Sequence, residues 1–127
     1  MNILVVDDSA TMRRILVNSI YRVGFTECVE AGDGKEGLEK FDASIQFVIA
    51  DWNMPKMSGL DLARAIRQLP EGNQVPILRV TVRSMKEDIV AAIRAVVNDY
   101  IVKPFTLRVL KEKIDAVMSR QGAAALS

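Results

Sequence analysis

The stretch Ile3-Leu4-Val5-Val6-Asp7-Asp8 places four apolar residues directly before two carboxylates. The stretches Phe47-Val48-Ile49-Ala50-Asp51 and Tyr100-Ile101-Val102-Lys103 likewise end in a charged residue. Short apolar runs of this kind are typical of parallel strands that are covered on both faces. The carboxyl ends of such strands meet at one edge of the sheet, where ligands bind near a topological switch point. The sequence therefore predicts one cleft in which charged side chains from separate strands converge.

Apolar runs of strand length alternate with segments of helical period, which indicates repeated βαβ units. Strands β1 to β5 are predicted at residues 2–7, 27–31, 45–51, 75–81 and 98–102, and helices α1 to α5 at residues 10–23, 34–42, 59–69, 85–96 and 106–119. Because right-handed crossovers are nearly obligatory, we expect an α/β domain of flavodoxin-like, doubly wound (βα)5 architecture, with a parallel five-stranded sheet in the order 2-1-3-4-5. We place this domain at residues 1–121 and predict a disordered C-terminal tail at residues 122–127.

The predicted helices carry cap signals and apolar faces. Ser9 and Thr106 stand where they can cap α1 and α5, and Gly24 follows α1 where a helix commonly ends. The predicted inner faces are Ile15, Leu16, Ile20 and Val23 in α1, Leu62, Ile66 and Leu69 in α3, and Leu110, Ile114, Val117 and Met118 in α5. Each of these helices has one side to bury.

Composition narrows the range of functions. The chain has 127 residues, with 17 Lys plus Arg against 16 Asp plus Glu, one cysteine and no histidine. Such a near-neutral balance favours neither nucleic acid nor an anionic membrane as a partner. The lone Cys28 and the lack of a signal peptide or a long apolar stretch predict a cytoplasmic protein. The absence of histidine excludes hydrolases that need an imidazole base and a histidine phosphocarrier role for this chain.

The predicted cleft has the side chains for phosphoryl chemistry. In the 2-1-3-4-5 order the switch point lies between β1 and β3, so Asp7 and Asp8 would face Asp51 across it. Crowded carboxylates stay ionised most simply around a hard divalent cation, which predicts Mg2+ held by Asp8 and a loop carbonyl. Asp51 is expected to be the exposed carboxylate, free to attack phosphorus and become an acyl phosphate. Lys103 and the hydroxyl of Thr81 end neighbouring strands and could bind phosphoryl oxygens.

Several motifs in order also resemble a known family. They are Leu4-Val5-Val6-Asp7-Asp8-Ser9, Asp51-Trp52-Asn53-Met54-Pro55-Lys56-Met57-Ser58-Gly59, Val80-Thr81 and Asn98-Asp99-Tyr100-Ile101-Val102-Lys103-Pro104-Phe105. The chain is similar to the receiver domains of two-component response regulators, and within them to the single-domain, CheY-like chemotaxis regulators. The resemblance covers residues 2 to about 120.

The resemblance implies roles for individual residues. Asp51 would accept a phosphoryl group, and Mg2+ would be bound by Asp8, Asp51 and the backbone carbonyl of Asn53, with Asp7 acting mainly through metal-bound water. Thr81 and Lys103 would contact the phosphoryl group, and Lys103-Pro104 would be a cis peptide. Tyr100 would change rotamer and report phosphorylation on the α4-β5-α5 face.

The resemblance also implies partners. The phosphoryl donor would be a CheA-like sensor histidine kinase, and the output face would bind the flagellar motor switch protein. A phosphatase is a further expected partner, and we expect a monomer. Such a chain would be a phosphoacceptor that assists its own phosphorylation and dephosphorylation, and not an enzyme acting on external substrates.

Other interpretations of the same residues remain open. Asp7-Asp8 could be a polar turn or helix cap, Lys103 a loop lysine, and Tyr100 an aromatic residue packed on the sheet. Arg13 and its neighbours on α1 are interpreted as a solvated flank. A small phosphatase working through an aspartyl-phosphate is a second functional class. The absence of a cap domain, and Asn53 in place of a second acid, argue against it.

Three residues depart from the receiver pattern. Arg79 stands in the predicted central strand β4, where an apolar residue is expected and an unpaired guanidinium is costly. Val82 follows Thr81, where a small residue is usual, and Val97 replaces the glycine that usually ends α4. A β-branched residue at Val97 would be strained if the backbone there were left-handed. An alternative hypothesis therefore has the β4-α4-β5 region rearranged or domain-swapped between protomers, with Arg79 leaving the interior and signalling impaired.

Overall fold

The structure, a computed structural model, describes residues 1–52, 54, 56–81 and 97–126, with side-chain surroundings up to residue 119. Its strands are β1 Asn2–Val6, β2 Glu27–Ala31, β3 Phe47–Asp51, β4 Ile77–Thr81 and β5 Asp99–Val102. Its helices are α1 Ala10–Arg22, α2 Gly34–Lys40, α3 Gly59–Gln68 and α5 Leu107–Leu126, with a 3-10 turn at Pro70–Gly72. The predicted α4 at residues 85–96 and Val82 lie outside the described residues.

The sheet confirms the predicted topology. All four strand pairs are parallel, and the strands lie in the order β2-β1-β3-β4-β5. Every carboxyl end therefore points to the same edge. No helix in the described part of the chain is long and apolar enough to cross a membrane.

Alternate residues of each strand pack into two hydrophobic cores, one on each face of the sheet. Ile3 and Val5 of β1 join the core that α1 and α5 cover, whereas Leu4 and Val6 join the core on the side of α3. Because both faces are covered, β1 is apolar from Ile3 to Val6 and β3 from Phe47 to Ala50. This is why the acidic residues of these two strands lie only where the strands end.

The buried face of α1 differs from the prediction. Leu16, Val17 and Ile20 are buried, whereas Ile15 is 48% exposed and Val23 is half-buried at the helix end. Each helical residue turns by about 100°, so a stripe centred on Leu16, Val17 and Ile20 leaves Ile15 at its edge. The prediction placed Ile15 on the buried face because it used the spacing of apolar residues alone. Spacing does not show where the buried stripe of the helix is centred.

The other predicted helix faces and caps agree better with the structure. Leu62 and Ile66 of α3 are buried and Leu69 is half-buried, and Leu110, Ile114 and Val117 of α5 are buried beside a half-buried Met118. The Ser9 hydroxyl accepts the N–H of Met12 at 3.3 Å, and the Thr106 hydroxyl accepts that of Val109 at 3.1 Å. Both predicted N-caps are confirmed, because each hydroxyl satisfies a backbone donor that the first helical turn leaves unpaired.

Helix α5 is longer than predicted. It continues through residues 122–126, for which we predicted disorder. Three consecutive alanines, Ala123 to Ala125, carry the highest helix propensity, which explains why the helical backbone continues past Gly122. The domain limits at residues 1–121 stay a prediction.

Arg79 stays inside the sheet. Its strand pairs with β3 and β5 of the same chain, and the residue is 4% exposed. Its guanidinium carbon lies 4.5 Å from the centroid of the Trp52 ring. The expectation that Arg79 leaves the interior is therefore wrong, because the indole gives the buried cation an aromatic partner. Exchange of this region between protomers stays a prediction.

Val97 is accommodated without backbone strain. It is 5% exposed and packs in the core on the side of α3. Among the described non-glycine residues, Lys56 has a positive φ, at 68°. The φ of Val97 is not positive. The strain that a left-handed valine would bring therefore does not arise here.

A half-buried arginine joins elements at the opposite edge of the sheet from the charged strand ends. The Arg67 guanidinium donates to the carbonyls of Gly72 and Val75 at 2.8 and 2.6 Å, and to Asn98 Oδ1 at 3.1 Å. Asn98 Oδ1 also accepts the N–H of Ile77 at 2.8 Å. Burial lowers the pKa of Arg67 from its ordinary value. This network ties the end of α3 to the start of β4 and β5.

The close packing of Gly72 gives a stability prediction. A Cβ at Gly72 would lie 2.1 Å from the Ile66 carbonyl oxygen, whereas the nearest neighbour of a Cβ at Gly32 would be 3.6 Å away. We expect Gly72→Ala to lower the free energy of unfolding by about 2–3 kcal/mol, because backbone must shift to make room. Gly32→Ala, the matched control, is expected to stay within about 0.5 kcal/mol of the wild type. Urea unfolding measures both, and equal midpoints for the two variants would contradict the close packing of the 3-10 turn against α3.

Candidate functional site

Three carboxylates meet at the carboxyl edge of the sheet, as predicted. Asp7 and Asp8 follow β1, and Asp51 is the last residue of β3. One oxygen from each lies within 4.8 Å of the others. The adjacent positions of β1 and β3 in the sheet bring the three together although more than 40 residues separate Asp8 from Asp51 in the sequence.

The exposure of the three carboxylates differs from the prediction. Asp7 is 1% and Asp51 8% exposed, whereas Asp8 is the exposed one. Asp51 still belongs to β3, where its partner in β4 is Val80, so neighbouring strands cover it. Asp8 lies past the end of β1, where the chain leaves the sheet to begin α1. The expectation that Asp51 is the exposed carboxylate is wrong for this reason.

Lys103 brings a positive charge to the cluster. Its Nζ lies 3.5 Å from Asp7 Oδ2 and 3.8 Å from Asp51 Oδ2, and its side chain is 12% exposed. The Lys103 N–H donates to the Thr81 carbonyl at 2.7 Å, which fixes the end of β5 against β4. The Lys103-Pro104 peptide is cis, as the family resemblance implied. Lys103 therefore bridges two carboxylates that come from different strands.

Asp7 is fixed by more contacts than the motifs indicate. Its Oδ1 accepts the N–H of Ser9 at 2.9 Å, and its carbonyl accepts Arg13 Nη1 at 2.6 Å. Arg13 Nε also lies 3.3 Å from Glu30 Oε1 on β2. Arg13 is thus a half-buried link between α1, the site and β2, and the interpretation as a solvated flank is wrong. Arg13 lies one turn into α1, close to the end of β1, and this position indicates that its side chain can reach the site. The search for apolar periodicity did not consider it.

Thr81 and Tyr100 lie at different depths from this cluster. Thr81 ends β4, is 3% exposed and stands beside Val102 of β5. Tyr100 is half-buried earlier in β5, and Lys113 Nζ of α5 lies 4.9 Å from its ring centroid and 3.1 Å from Asp99 Oδ1. Thr81 therefore stands at the carboxyl edge, whereas Tyr100 faces α5. Asn53, whose carbonyl was predicted as a metal ligand, lies outside the described residues.

The turn that follows Asp51 is closely packed. A Cβ at Gly59 would lie 2.5 Å from the Asp51 carbonyl oxygen and 2.8 Å from the Trp52 ring. The Gly59 N–H donates to the Trp52 carbonyl at 3.2 Å, and Lys56 takes the positive φ that the turn needs. Since a larger residue at Gly59 would push against the peptide that carries Asp51, the glycine lets α3 start directly beside the site.

An apolar cavity of about 210 Å³ adjoins the carboxylates on the side of α1. Its lining residues are Asp7, Met12, Ile15, Leu16, Ser19, Val80, Lys103, Pro104 and Phe105. The exposed Ile15 thus belongs to the rim of a cavity beside the site and not to the core.

This arrangement can hold an oxygen-seeking cation and a phosphoryl group together. Clustered carboxylate oxygens are the ligands that Mg2+ prefers in proteins. A lysine ammonium is a suitable point charge for a phosphoryl oxygen. Parallel α/β sheets bind ligands at this edge, at the switch point between β1 and β3.

The fold and this site define a receiver domain, and comparison with known families agrees. Residues 3–115 match the family model of the response regulator receiver domain. The chain belongs to that family. It is accordingly a phosphorylation-controlled response regulator, a signalling protein and not an enzyme of the usual kind.

Relatives specify the kind of receiver further. The chain is 47% identical to chemotaxis protein CheY1 of Helicobacter pylori over 120 residues, which span 93% of this chain and 97% of that protein. It is 46% identical to chemotaxis protein CheY of Pseudomonas aeruginosa over 121 residues, 94% of this chain and 98% of that protein. The crystal structure of chemotaxis protein CheY4 of Vibrio cholerae matches with a TM-score of 0.82 and 31% identity, covering 91% of this chain and 97% of that one. The chain is therefore similar to CheY chemotaxis proteins over nearly its whole length.

The crowded carboxylates give a prediction about stability without metal. Asp8 lies with two other acids, so Asp8→Asn removes like-charge repulsion. In a chelator and at low salt, we expect this variant to unfold with a free energy about 0.5 kcal/mol higher than the wild type, and the gain to shrink as salt screens the charges. Glu39→Gln, which neutralises an exposed acid on α2, is the control and should leave stability unchanged. A less stable Asp8→Asn under these conditions would contradict net repulsion in the cluster.

Proposed function

We propose that Asp51 accepts a phosphoryl group from a sensor histidine kinase, as a CheY-like regulator of chemotaxis. The observation that carries this proposal is the Asp51 carboxylate at the sheet edge, 3.8 Å from the Lys103 ammonium and within 4.8 Å of the other two carboxylates. Burial at 8% exposure shields the carboxylate from bulk water, which strengthens its interaction with nearby charges. The chain itself contains no histidine, so the phosphohistidine belongs to the partner.

The proposed transfer is a displacement at phosphorus. An Asp51 carboxylate oxygen forms a bond to phosphorus while the bond between phosphorus and the partner's imidazole nitrogen breaks, and the imidazole leaves with the electron pair. Lys103, now paired with Asp7 and Asp51, would turn to a phosphoryl oxygen, and Thr81 would donate its hydroxyl to another. Attack of water on the acyl phosphate later regenerates Asp51. Because Lys103 and Thr81 would bind the phosphoryl oxygens in both steps, the chain assists both its phosphorylation and its dephosphorylation.

The carboxylate cluster fits Mg2+ as the cofactor. Its donors are hard oxygens, two of the acids are buried, and the third is open to solvent. Asp8, Asp51 and the backbone carbonyl of Asn53 would hold the ion, with Asp7 acting through a water ligand. When bound, Mg2+ neutralises the negative charge shared by the carboxylates and the phosphoryl oxygens.

The output is proposed to leave through the α4-β5-α5 face. Tyr100 is half-buried on β5 beside Lys113 of α5, so a change in its rotamer would alter that surface. A few kcal/mol between two conformations suffices for such a switch. The proposed partners are a CheA-like kinase, the flagellar motor switch protein and a phosphatase. We propose that the chain is a monomer and that it binds these partners in the cytoplasm.

The phosphoacceptor role gives a direct prediction. Incubation with Mg2+ and acetyl phosphate is expected to add one phosphoryl group to the wild-type chain, and Asp51→Asn is expected to add none because its amide cannot attack phosphorus. Intact-mass spectrometry at neutral pH measures the adduct. Asp61→Asn, which changes an exposed acid on α3, is the control and should be phosphorylated like the wild type. Phosphoryl uptake by Asp51→Asn at the wild-type rate would refute the assignment. Steady turnover of p-nitrophenyl phosphate would favour the phosphatase class instead.

The output proposal predicts where the structure responds. On addition of beryllofluoride and Mg2+, we expect NMR shift changes at Tyr100 and Lys113 as well as at the carboxylates, because the switch links the site to α5. Residues 34–40 of α2, which lie on another side of the sheet, serve as an internal control and should change little. Changes confined to the carboxylates and their sequence neighbours would argue against output through β5 and α5.

A further inference from the structure

Arg79 is a buried cation close to the proposed phosphoacceptor. It stands in the central strand β4, in register with Ala50, the residue before Asp51. Along β4 it lies two positions before Thr81, so both side chains project from the same face of the sheet. Its 4% exposure leaves it almost no contact with water. A charge in this position needs a reason beyond packing, because an apolar side chain would fill a central strand at lower cost.

Trp52, the residue that follows Asp51, packs against the Arg79 guanidinium. The guanidinium carbon lies 4.5 Å from the ring centroid of Trp52, which is 9% exposed. A cation–π contact strengthens when both groups are shielded from water, as they are here. The planar guanidinium also stacks on an aromatic face in one preferred orientation, which a methylene chain does not. Arg79 therefore restricts how the indole can turn.

Trp52 is well placed to transmit that restriction. The backbone N–H of Trp52 donates to the Val80 carbonyl at 3.0 Å, and the backbone carbonyl of Trp52 accepts the N–H of Gly59 at 3.2 Å. Its ring would lie 2.8 Å from a Cβ at Gly59, so the start of α3 closes one side of the indole. With the backbone bonded to β4 and α3, the ring is the part of Trp52 that side-chain contacts must fix. Because Trp52 directly follows Asp51, a ring held in one orientation also limits rotation about the bonds that flank the Asp51–Trp52 peptide.

We propose that Arg79 is a positioning residue for phosphoryl transfer to Asp51: it holds the indole of Trp52 and thereby the carboxylate of the preceding residue. The inference rests on the proposed function of Asp51. In this role Arg79 acts on the Asp51 carboxylate through Trp52. Arg79, a charged residue in an otherwise apolar core, thus has a functional role at the site.

The test compares full-length variants in two measurements. The first is the rate of phosphorylation by acetyl phosphate with Mg2+, per folded protein, at a temperature well below unfolding. Loss of positioning is expected to slow Arg79→Met by about 5-fold to 10-fold, because small misplacements of a nucleophile are costly. Arg79→Lys, which keeps the cation but not the planar stack, should fall between it and the wild type. An Arg79→Met rate equal to that of the wild type would overturn the inference.

Arg67→Met is the matched control. It also removes a partly buried arginine, but one whose hydrogen bonds lie at the opposite edge of the sheet. This variant should lose stability and keep the wild-type phosphorylation rate. A rate reduced as much as in Arg79→Met would show that general destabilisation explains both, and the positioning role would fail.

The second measurement needs neither metal nor phosphoryl donor. Trp52 is the single tryptophan, so its time-resolved fluorescence anisotropy reports ring motion in the metal-free chain. We expect a larger fast component in Arg79→Met and an intermediate one in Arg79→Lys. An unchanged decay would show that Arg79 does not hold the ring. If Arg79→Met does not fold, Arg79→Lys decides the question by both measurements.

A double-mutant cycle isolates the contact. Trp52→Phe keeps an aromatic ring but weakens the attraction for the cation. If Arg79 acts through Trp52, the double variant should be no slower than Arg79→Met alone, whereas independent effects would multiply and contradict the proposal. No phosphoryl uptake by the wild type would overturn the proposed function and this inference with it. Equal uptake by wild type and Arg79→Met overturns this inference alone.

Discussion

Mutual repulsion among Asp7, Asp8 and Asp51 is the constraint on which the rest of this structure depends. Carboxylates at the end of parallel strands cannot spread apart without unpairing β1 from β3, so the fold holds them within 4.8 Å of one another. Their charge has to be balanced from elsewhere. Lys103 reaches two of them from β5, and the arrangement of hard oxygens suits a divalent cation. The site therefore combines closely spaced negative charges with a cation from another strand.

The surrounding elements hold the backbone on both sides of the site. Gly59 allows α3 to begin against the peptide of Asp51, and the N–H of Trp52 ties the same segment to β4. Arg13 connects the Asp7 carbonyl to Glu30 on β2 from the other side. These contacts are hydrogen bonds and close approaches, which tolerate little displacement. Together they fix the position of Asp7 and Asp51 relative to the sheet.

Periodicity alone predicted much of the fold. The order of the strands, their parallel pairing and the caps at Ser9 and Thr106 follow from apolar runs, crossover handedness and hydroxyl residues at helix starts. The errors have physical causes. Ile15 is exposed because the centre of a helical stripe depends on which residues the sheet accepts. Asp51 is buried because β4 pairs with β3 up to this residue, and the sequence does not show how far a neighbouring strand covers a strand end. Helix α5 continues through an alanine segment that has no apolar face to reveal it.

The sequence by itself determined which chemical groups could meet. Asp7, Asp8, Asp51 and Lys103 stand where apolar runs end, and a parallel sheet brings such ends together at one edge. Only the tertiary structure decided how those groups are used. It made Asp8 the solvent-facing acid, set Lys103 between Asp7 and Asp51, and brought Trp52 under the guanidinium of Arg79. Burial, ion pairing and stacking depend on distances between residues far apart in the chain. A pattern along one strand carries no information about those distances, because neighbouring strands set them.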